Sequence, residues 1–355
     1  MEWQQGFLSR CGKALRAKKL ALVVAAVPVI VPLLAPLAGA ETMFTFAAAG
    51  GSWGKVMDTG LKQTFEKEYG VSVRHDVKGN VQRLLAMIAN PGKSGIDAVE
   101  VSGSRIGLAI GNNVLEKLDA SKMPNYQFIP AAFKNEYWAG GLVCPLSVVY
   151  NPAHVTAEEA ASWDVLANPK FKGHVGIPEY TWQGENWLHA VNRHYGGTYD
   201  NLTPGIEFAA KVMRNGGTVI QSPDHGLKLF AAGDLWVAAF LTGRAMSPAG
   251  QAIPLRFTLV KDWWPLSVGF AVVKGTPNLD LAYKFVNASL TPSHEIAISR
   301  VAGCAPTNVE AALPDDLKGA ALSDADLANA AILDYARTFK VGPKALERWK
   351  REVLP

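Results

Sequence analysis

Two hydrophobic periods alternate along this chain. Short apolar runs end in glycine- or serine-rich turns, and each turn opens a stretch whose apolar residues recur every three or four positions. The first unit organises the rest. Residues 43–54 read MFTFAAAGGSWG, an apolar run that stops at Gly50-Gly51-Ser52-Trp53-Gly54. Residues 55–69 then place Val56, Leu61, Phe65 and Tyr69 near one helical face. This pattern predicts a buried strand that delivers a small-residue loop to a helix N-terminus, where backbone N–H groups are free to meet a ligand. Gly70 supplies a helix stop, and residues 71–75 alternate like a half-buried strand. Residues 80–89 predict a second helix with Leu84, Leu85 and Ile88 inward, ended by Asn90-Pro91-Gly92. Residues 96–101 predict a third strand running into Ser102-Gly103-Ser104, with a short helix over 105–111. Strand and helix alternating at this spacing argue for a parallel α/β sheet. Ligands then bind at the carboxyl ends of the strands, so the loops at 50–54 and 102–104 should share one edge.

The pattern restarts after a long β-rich stretch, residues 142–150, which suits a strand crossing between lobes. Strands are predicted at 174–178, 217–221, 235–241 and 255–260, and helices at 163–167, 186–195, 204–215 and 226–232. The turns Glu179-Tyr180-Thr181-Trp182 and Thr242-Gly243-Arg244 follow strand ends, and Trp263-Trp264 follows another. Residues 268–274 suit the return crossing, and helices follow at 280–289, 292–301, 324–339 and 344–352. The expected division is 41–146 with 268–355 as lobe 1 and 147–267 as lobe 2. Two lobes joined by two crossing strands make a cleft, a favoured small-molecule site that closes about a hinge.

Composition changes the picture mainly at the N-terminus. Of 355 residues, 49% are apolar and 19% charged, which is globular composition with enough length for two cores. Residues 1–40 stand apart: Arg10, Lys13, Arg16, Lys18 and Lys19 precede the apolar run 20–36, and Ala38-Gly39-Ala40 fits a cleavage site. An uncleaved anchor is the alternative, but Pro28, Pro32 and Pro36 would interrupt a spanning helix. The expectation is export to the periplasm and cleavage after Ala40. Residues 1–40 hold five basic and one acidic side chain, so the net charge of +4 resides there. The remainder is balanced and gives no basic surface to recruit nucleic acid or anionic membrane. Cys11 precedes the apolar run, leaving Cys144 and Cys304, which either form a disulfide in an oxidising compartment or remain two buried thiols.

Several markers occur in a fixed order. They are Phe65-Glu66-Lys67-Glu68-Tyr69-Gly70-Val71-Ser72-Val73; Val149-Tyr150-Asn151-Pro152; Ser162-Trp163-Asp164-Val165-Leu166 with Pro169-Lys170-Phe171-Lys172-Gly173; the strand 235–245; Lys274-Gly275-Thr276-Pro277-Asn278; and the block 282–308. With them the chain resembles the extracellular solute-binding proteins of ABC transporters, in the group related to spermidine/putrescine-binding proteins. Each marker is a turn or helix signal, and the order and spacing carry the likeness. The resemblance implies a type II periplasmic-binding fold, a cleft between two lobes and delivery of a solute to the membrane permease. Its polyamine binders hold ammonium groups with carboxylates and box methylenes with aromatic rings. The corresponding late acidic positions fall here on Lys261 and Val268, and the cleft tryptophan falls near Leu241. Lys261 and Arg244 would repel a diamine and suit a carboxylate or phosphonate.

The candidate ligand-binding residues are Ser52, Trp53, Ser102, Ser104, Tyr180, Trp182, Thr242, Arg244 and Trp264. Each has a plainer reading: strand-to-helix turns need glycine, serines cap helices, and aromatics fill cores. An arginine in a cleft binds carboxylate through two parallel hydrogen bonds. The sequence has no His-x-x-x-His or Cys-x-x-Cys metal spacing, no adjacent tyrosines and no phosphate-cradling glycine motif. No cofactor or metal and no catalysis are expected. The chain reads as a monomeric periplasmic binding protein for a small polar organic solute (a polyamine, an amino-acid-like compound, or a carboxylate or phosphonate). The alternative is a secreted enzyme on the same fold with Cys144 as nucleophile.

Overall fold

The structure, a computed structural model, describes residues 43–77 and 80–354. The basic and apolar segment and the cleavage position after Ala40 lie outside the described residues. Among the described residues no helix is long and apolar enough to cross a membrane.

The first half of the chain builds one end of a mixed sheet. β1 (Met43–Ala47) leads into α1 (Gly51–Val56), which continues through a π-helical stretch, Met57–Lys62, into α2 (Gln63–Tyr69). Gly70 ends the helix in the left-handed conformation. β2 (Ser72–Asp76), α3 (Asn80–Ala89), β3 (Ala98–Ser102) and α4 (Ser104–Gly111) follow. β1 pairs in parallel with both β2 and β3. Phe44 and Phe46 lie two apart on β1, so they share a face. Both rings pack on Phe285, with centroids 5.1 and 4.9 Å away.

After β4 (Lys134–Asn135), the crossing strand β5 (Trp138–Tyr150) is buried along its whole length. The second α/β series is β6 (Val175–Pro178), α5 (Glu185–His194), α6 (Thr203–Arg214), β7 (Thr218–Ile220), α7 (Pro223–Ala232) and β8 (Val237–Leu241). It continues through α8 (Thr242–Met246), α9 (Pro248–Gln251) and β9 (Arg256–Thr258) to the return strand β10 (Trp264–Val272). β6 pairs in parallel with β7 and β8. α10 (Leu279–Ser289), α11 (Pro292–Ala302), β11 (Ala305–Pro306), α12 (Asp324–Ala328) and α13 (Tyr335–Arg348) complete the chain.

The sheet order is β2-β1-β3-β10-β5-β8-β6-β7, with β4, β9 and β11 also on β5. Leu146 is the changeover in β5: it pairs with Trp264 of β10 and with Leu241 of β8. β5 and β10 run antiparallel to their neighbours, and both start four residues earlier than the hydrophobic pattern indicates. The glycines at 140 and 141 and Pro265 masked those early residues.

The C-terminal region departs from the expected helices at 324–339 and 344–352. α12 stops at Ala328, and α13 runs from Tyr335 through Pro343 to Arg348. Asp334 decides this start, since its carboxylate accepts from the N–H groups of Ala336 and Arg337. α13 lies against both α4 and α5, and the following Trp349–Val353 turn lies against α6. The approach to α4 is close because Gly107 has no side chain: a Cβ there would fall 2.0 Å from the Tyr335 carbonyl oxygen.

Candidate functional site

The carboxyl ends of β1, β3, β6, β7 and β8 converge on one cavity of ≈ 430 Å³. Gly50, Gly51 and Trp53 come from the β1 end, Ser102 and Arg105 from β3, Trp182 and Gln183 from β6, Pro223 and Asp224 from β7, and Leu241 and Arg244 from β8. Glu100 of β3, Leu266 and Val268 of the return strand and the Cys144–Cys304 disulfide also line it. The loops at 50–54 and 102–104 thus share one edge, as parallel strands require.

The polar groups are of both signs. Glu100, on β3, is 2% exposed. Its Oε1 accepts from the Trp53 indole at 2.6 Å, and its Oε2 accepts from the Ala49 N–H at 3.0 Å. Burial raises the Glu100 pKa, while the two N–H donors and the charges of Arg83 and Arg105 work against that rise. Arg105 donates through Nη2 to the carbonyls of Thr181 at 2.7 Å and Trp182 at 3.3 Å, joining the α4 start to the β6 end. Arg244 makes no ion pair among the described residues. Burial lowers its pKa and Asp224 partly offsets this, but guanidinium stays charged at neutral pH. The cavity therefore presents Glu100 and Asp224, Arg105 and Arg244, together with the indoles of Trp53 and Trp182. Among the described residues no group of three or more His, Cys, Asp or Glu could hold a metal ion.

Four of the residues singled out from sequence, Trp53, Ser102, Trp182 and Arg244, line this cavity. The side chain of Ser52 lies outside the described residues. Ser104 sits at the α4 N-terminus, where its N–H donates to Asn186 Oδ1 at 3.1 Å. Tyr180 is buried against Trp349 and donates to the Gly342 carbonyl at 3.3 Å. Thr242 and Trp264 are fully buried. The turns themselves are more helical than expected. α1 begins at Gly51 and α8 at Thr242, and Tyr180–Gly184 is a π-helical turn rather than an exposed loop. Glu179 accounts for the last case, because its carboxylate accepts from the Trp182 N–H at 2.8 Å and its carbonyl oxygen from that of Gly184 at 2.8 Å.

Glu100, Arg105 and Asp224 were not among the sequence candidates. For Glu100 a signal was present, namely an acid inside an apolar strand, two residues before a serine-glycine turn. Cys144 is corrected as a nucleophile. Its sulfur is bonded to Cys304, 160 residues away, with Cα atoms 4.6 Å apart. A sulfur in a disulfide offers no thiolate.

This geometry, a mixed sheet with a ligand-sized cavity at its strand ends, is that of a periplasmic binding protein. Residues 60–329 match the family described as bacterial extracellular solute-binding protein, and the chain belongs to that family. It is 26% identical over 309 residues to the gamma-aminobutyric acid-binding protein of Pseudomonas aeruginosa, covering 79% of this chain and 85% of that one. It is 22% identical over 302 residues to a putrescine/cadaverine-binding protein of the same organism, covering 78% and 81%. Among solved structures, an ABC transporter from Clostridium perfringens superposes with a TM-score of 0.74 at 21% identity, covering 87% of this chain and 99% of that one. The fold is thus the type II periplasmic-binding fold, and the protein is a bacterial extracellular solute-binding protein.

Proposed function

We propose that the chain captures a small zwitterion carrying both an ammonium and a carboxylate, of the gamma-aminobutyrate type, and delivers it to a membrane permease. The observation that carries this reading is the pairing of opposite charges in one cavity. Arg244 has no carboxylate partner among the described residues, and Glu100 lies in the same lining. Arg244 would take the solute carboxylate, Glu100 and Asp224 the ammonium, and the indoles of Trp53 and Trp182 the methylenes between. A diamine would meet Arg244 and Arg105 with like charge. The name of the gamma-aminobutyric acid-binding relative agrees with this choice.

The mechanism is differential affinity. Residues 41–146 with 268–355 form one lobe and 147–267 the other, with β5 and β10 as hinge strands. A solute held from both sides shifts the population toward the closed form, which the permease reads. The segment 1–40 would direct export and be removed after Ala40, leaving a monomer in the periplasm. Native mass spectrometry of freshly purified protein tests the solute class. A retained amino acid with a separated amine and carboxylate is the expected result, and a retained diamine would overturn the reading.

A further inference from the structure

A second cavity lies back to back with the cleft. It measures ≈ 680 Å³, and its walls come from α8, β9, α11 and the segment 316–320. The partition between the two is one residue thick in places. Arg244 and Ala302 line the cleft, while the adjoining Ala245 and Gly303 line the second cavity. It is thin because Gly303 meets Gly243 backbone to backbone: Gly303 has φ +65°, and a Cβ on it would fall 2.1 Å from the Gly243 carbonyl oxygen. The Cys144–Cys304 disulfide pins the next residue.

The chemistry of this cavity differs from that of the cleft. Met246, Leu255, Phe257 and Leu317 supply an apolar surface, and Arg256 and Arg300 supply cations. Arg300 is committed through Nε to Asp316 Oδ2 at 3.0 Å. Arg256 has no ion-pair partner among the described residues, and its Nη1 donates only to the Leu255 carbonyl at 3.0 Å. Ser299, also in the lining, is fully buried, and its Oγ makes no hydrogen bond. A buried hydroxyl without a partner is costly, and a bound acceptor would relieve it.

We propose that this cavity is a second ligand site, taking a small organic anion with an apolar body, such as a medium-chain carboxylate. Arg256 is the cation that meets the head group, Ser299 supplies a buried donor, and Met246, Leu255 and Phe257 cover the chain. The site is distinct from the zwitterion cleft and stands whether or not the cleft's solute is a zwitterion. Octanoate binding to the purified protein, followed by isothermal titration calorimetry, tests it. The expected result is saturable binding that Arg256→Glu weakens by about tenfold or more and that Arg244→Ala, in the cleft, leaves unchanged. Ser299→Ala, which keeps the packing, should weaken binding several-fold less than the charge reversal. Circular dichroism checks that each variant is folded. Binding that survives Arg256→Glu, binding lost in Arg244→Ala, or no saturable binding at all would each overturn the proposal.

Discussion

The Trp53 indole donates to Glu100 Oε1 at 2.6 Å, so the first turn of α1 and the middle of β3 are tied by one buried acid. The same carboxylate takes the Ala49 N–H, just before that turn. Trp53 is thereby oriented before any solute arrives, which is how a binding site lowers the ordering cost of capture. Glu100→Gln keeps the shape but removes the charge. Solute affinity should fall roughly 10- to 100-fold, as for a lost hydrogen bond to a charged group, and the melting temperature should fall as well, because the amide nitrogen cannot accept from one of the two N–H groups that Glu100 now holds. Calorimetric titration of the variant checks this. Unchanged affinity would remove Glu100 from the ammonium-binding role.

The disulfide should matter for stability. It closes a loop of 160 residues between β5 and the segment after α11. The double variant Cys144→Ser, Cys304→Ser should lose about 2–5 kcal/mol of unfolding free energy. Denaturant midpoints of the oxidised protein and the variant measure the difference.

Glu295 gives a pH dependence with a definite sign. It is buried on α11, and burial pushes its pKa from 4.5 up to about 8 against the N–H donors of Asn308 and Thr307. The neutral form fits the geometry, since Thr307 Oγ1 donates to the Gly140 carbonyl at 2.6 Å and can accept from a protonated Glu295 at 3.3 Å. The folded state thus holds this proton more tightly than the unfolded state does. Its stabilising effect is complete below about pH 4.5 and is lost as pH rises through about 8. Relative to Glu295→Gln, the wild type should lose more than about 2 kcal/mol across that window. Chemical denaturation of both proteins at several pH values decides it, and a flat difference would contradict it.

The C-terminal helix tests a packing claim. A Cβ on Gly107 would fall 2.0 Å from the Tyr335 carbonyl oxygen, and backbone cannot yield as a flexible side chain can. Gly107→Val should destabilise by about 1–3 kcal/mol or more and loosen α13 from α4. Limited proteolysis should then cut near residues 329–334, between α12 and α13.

Much of the strand–turn–helix order was legible because each unit carries its own period and its own stop. Residues 43–54 announced β1 and the turn after it, and 96–104 announced β3 and Gly103. Ligand-facing side chains were harder to read, because facing depends on tertiary neighbours. Tyr180 read as part of an exposed strand-end loop and Trp264 as a cleft candidate, yet Trp349 and Gly103 lie against them. The Cys144–Cys304 bond joins positions 160 apart, which no local pattern reveals. Arg244 was visible as a cation in a turn, but the acid across the cavity from the same sheet edge, Glu100, was hidden inside an apolar strand.

The central claim is that one cleft reads both ends of a zwitterion, and Arg244 is its carboxylate-binding half. Isothermal titration of the wild type and Arg244→Ala with 4-aminobutyrate and with putrescine tests this most directly. The account predicts that the wild type binds 4-aminobutyrate more tightly than putrescine. It also predicts that Arg244→Ala loses roughly 10- to 100-fold in 4-aminobutyrate affinity while its putrescine affinity stays equal or rises. Tighter binding of putrescine by the wild type, or a 4-aminobutyrate affinity untouched by the substitution, would contradict it.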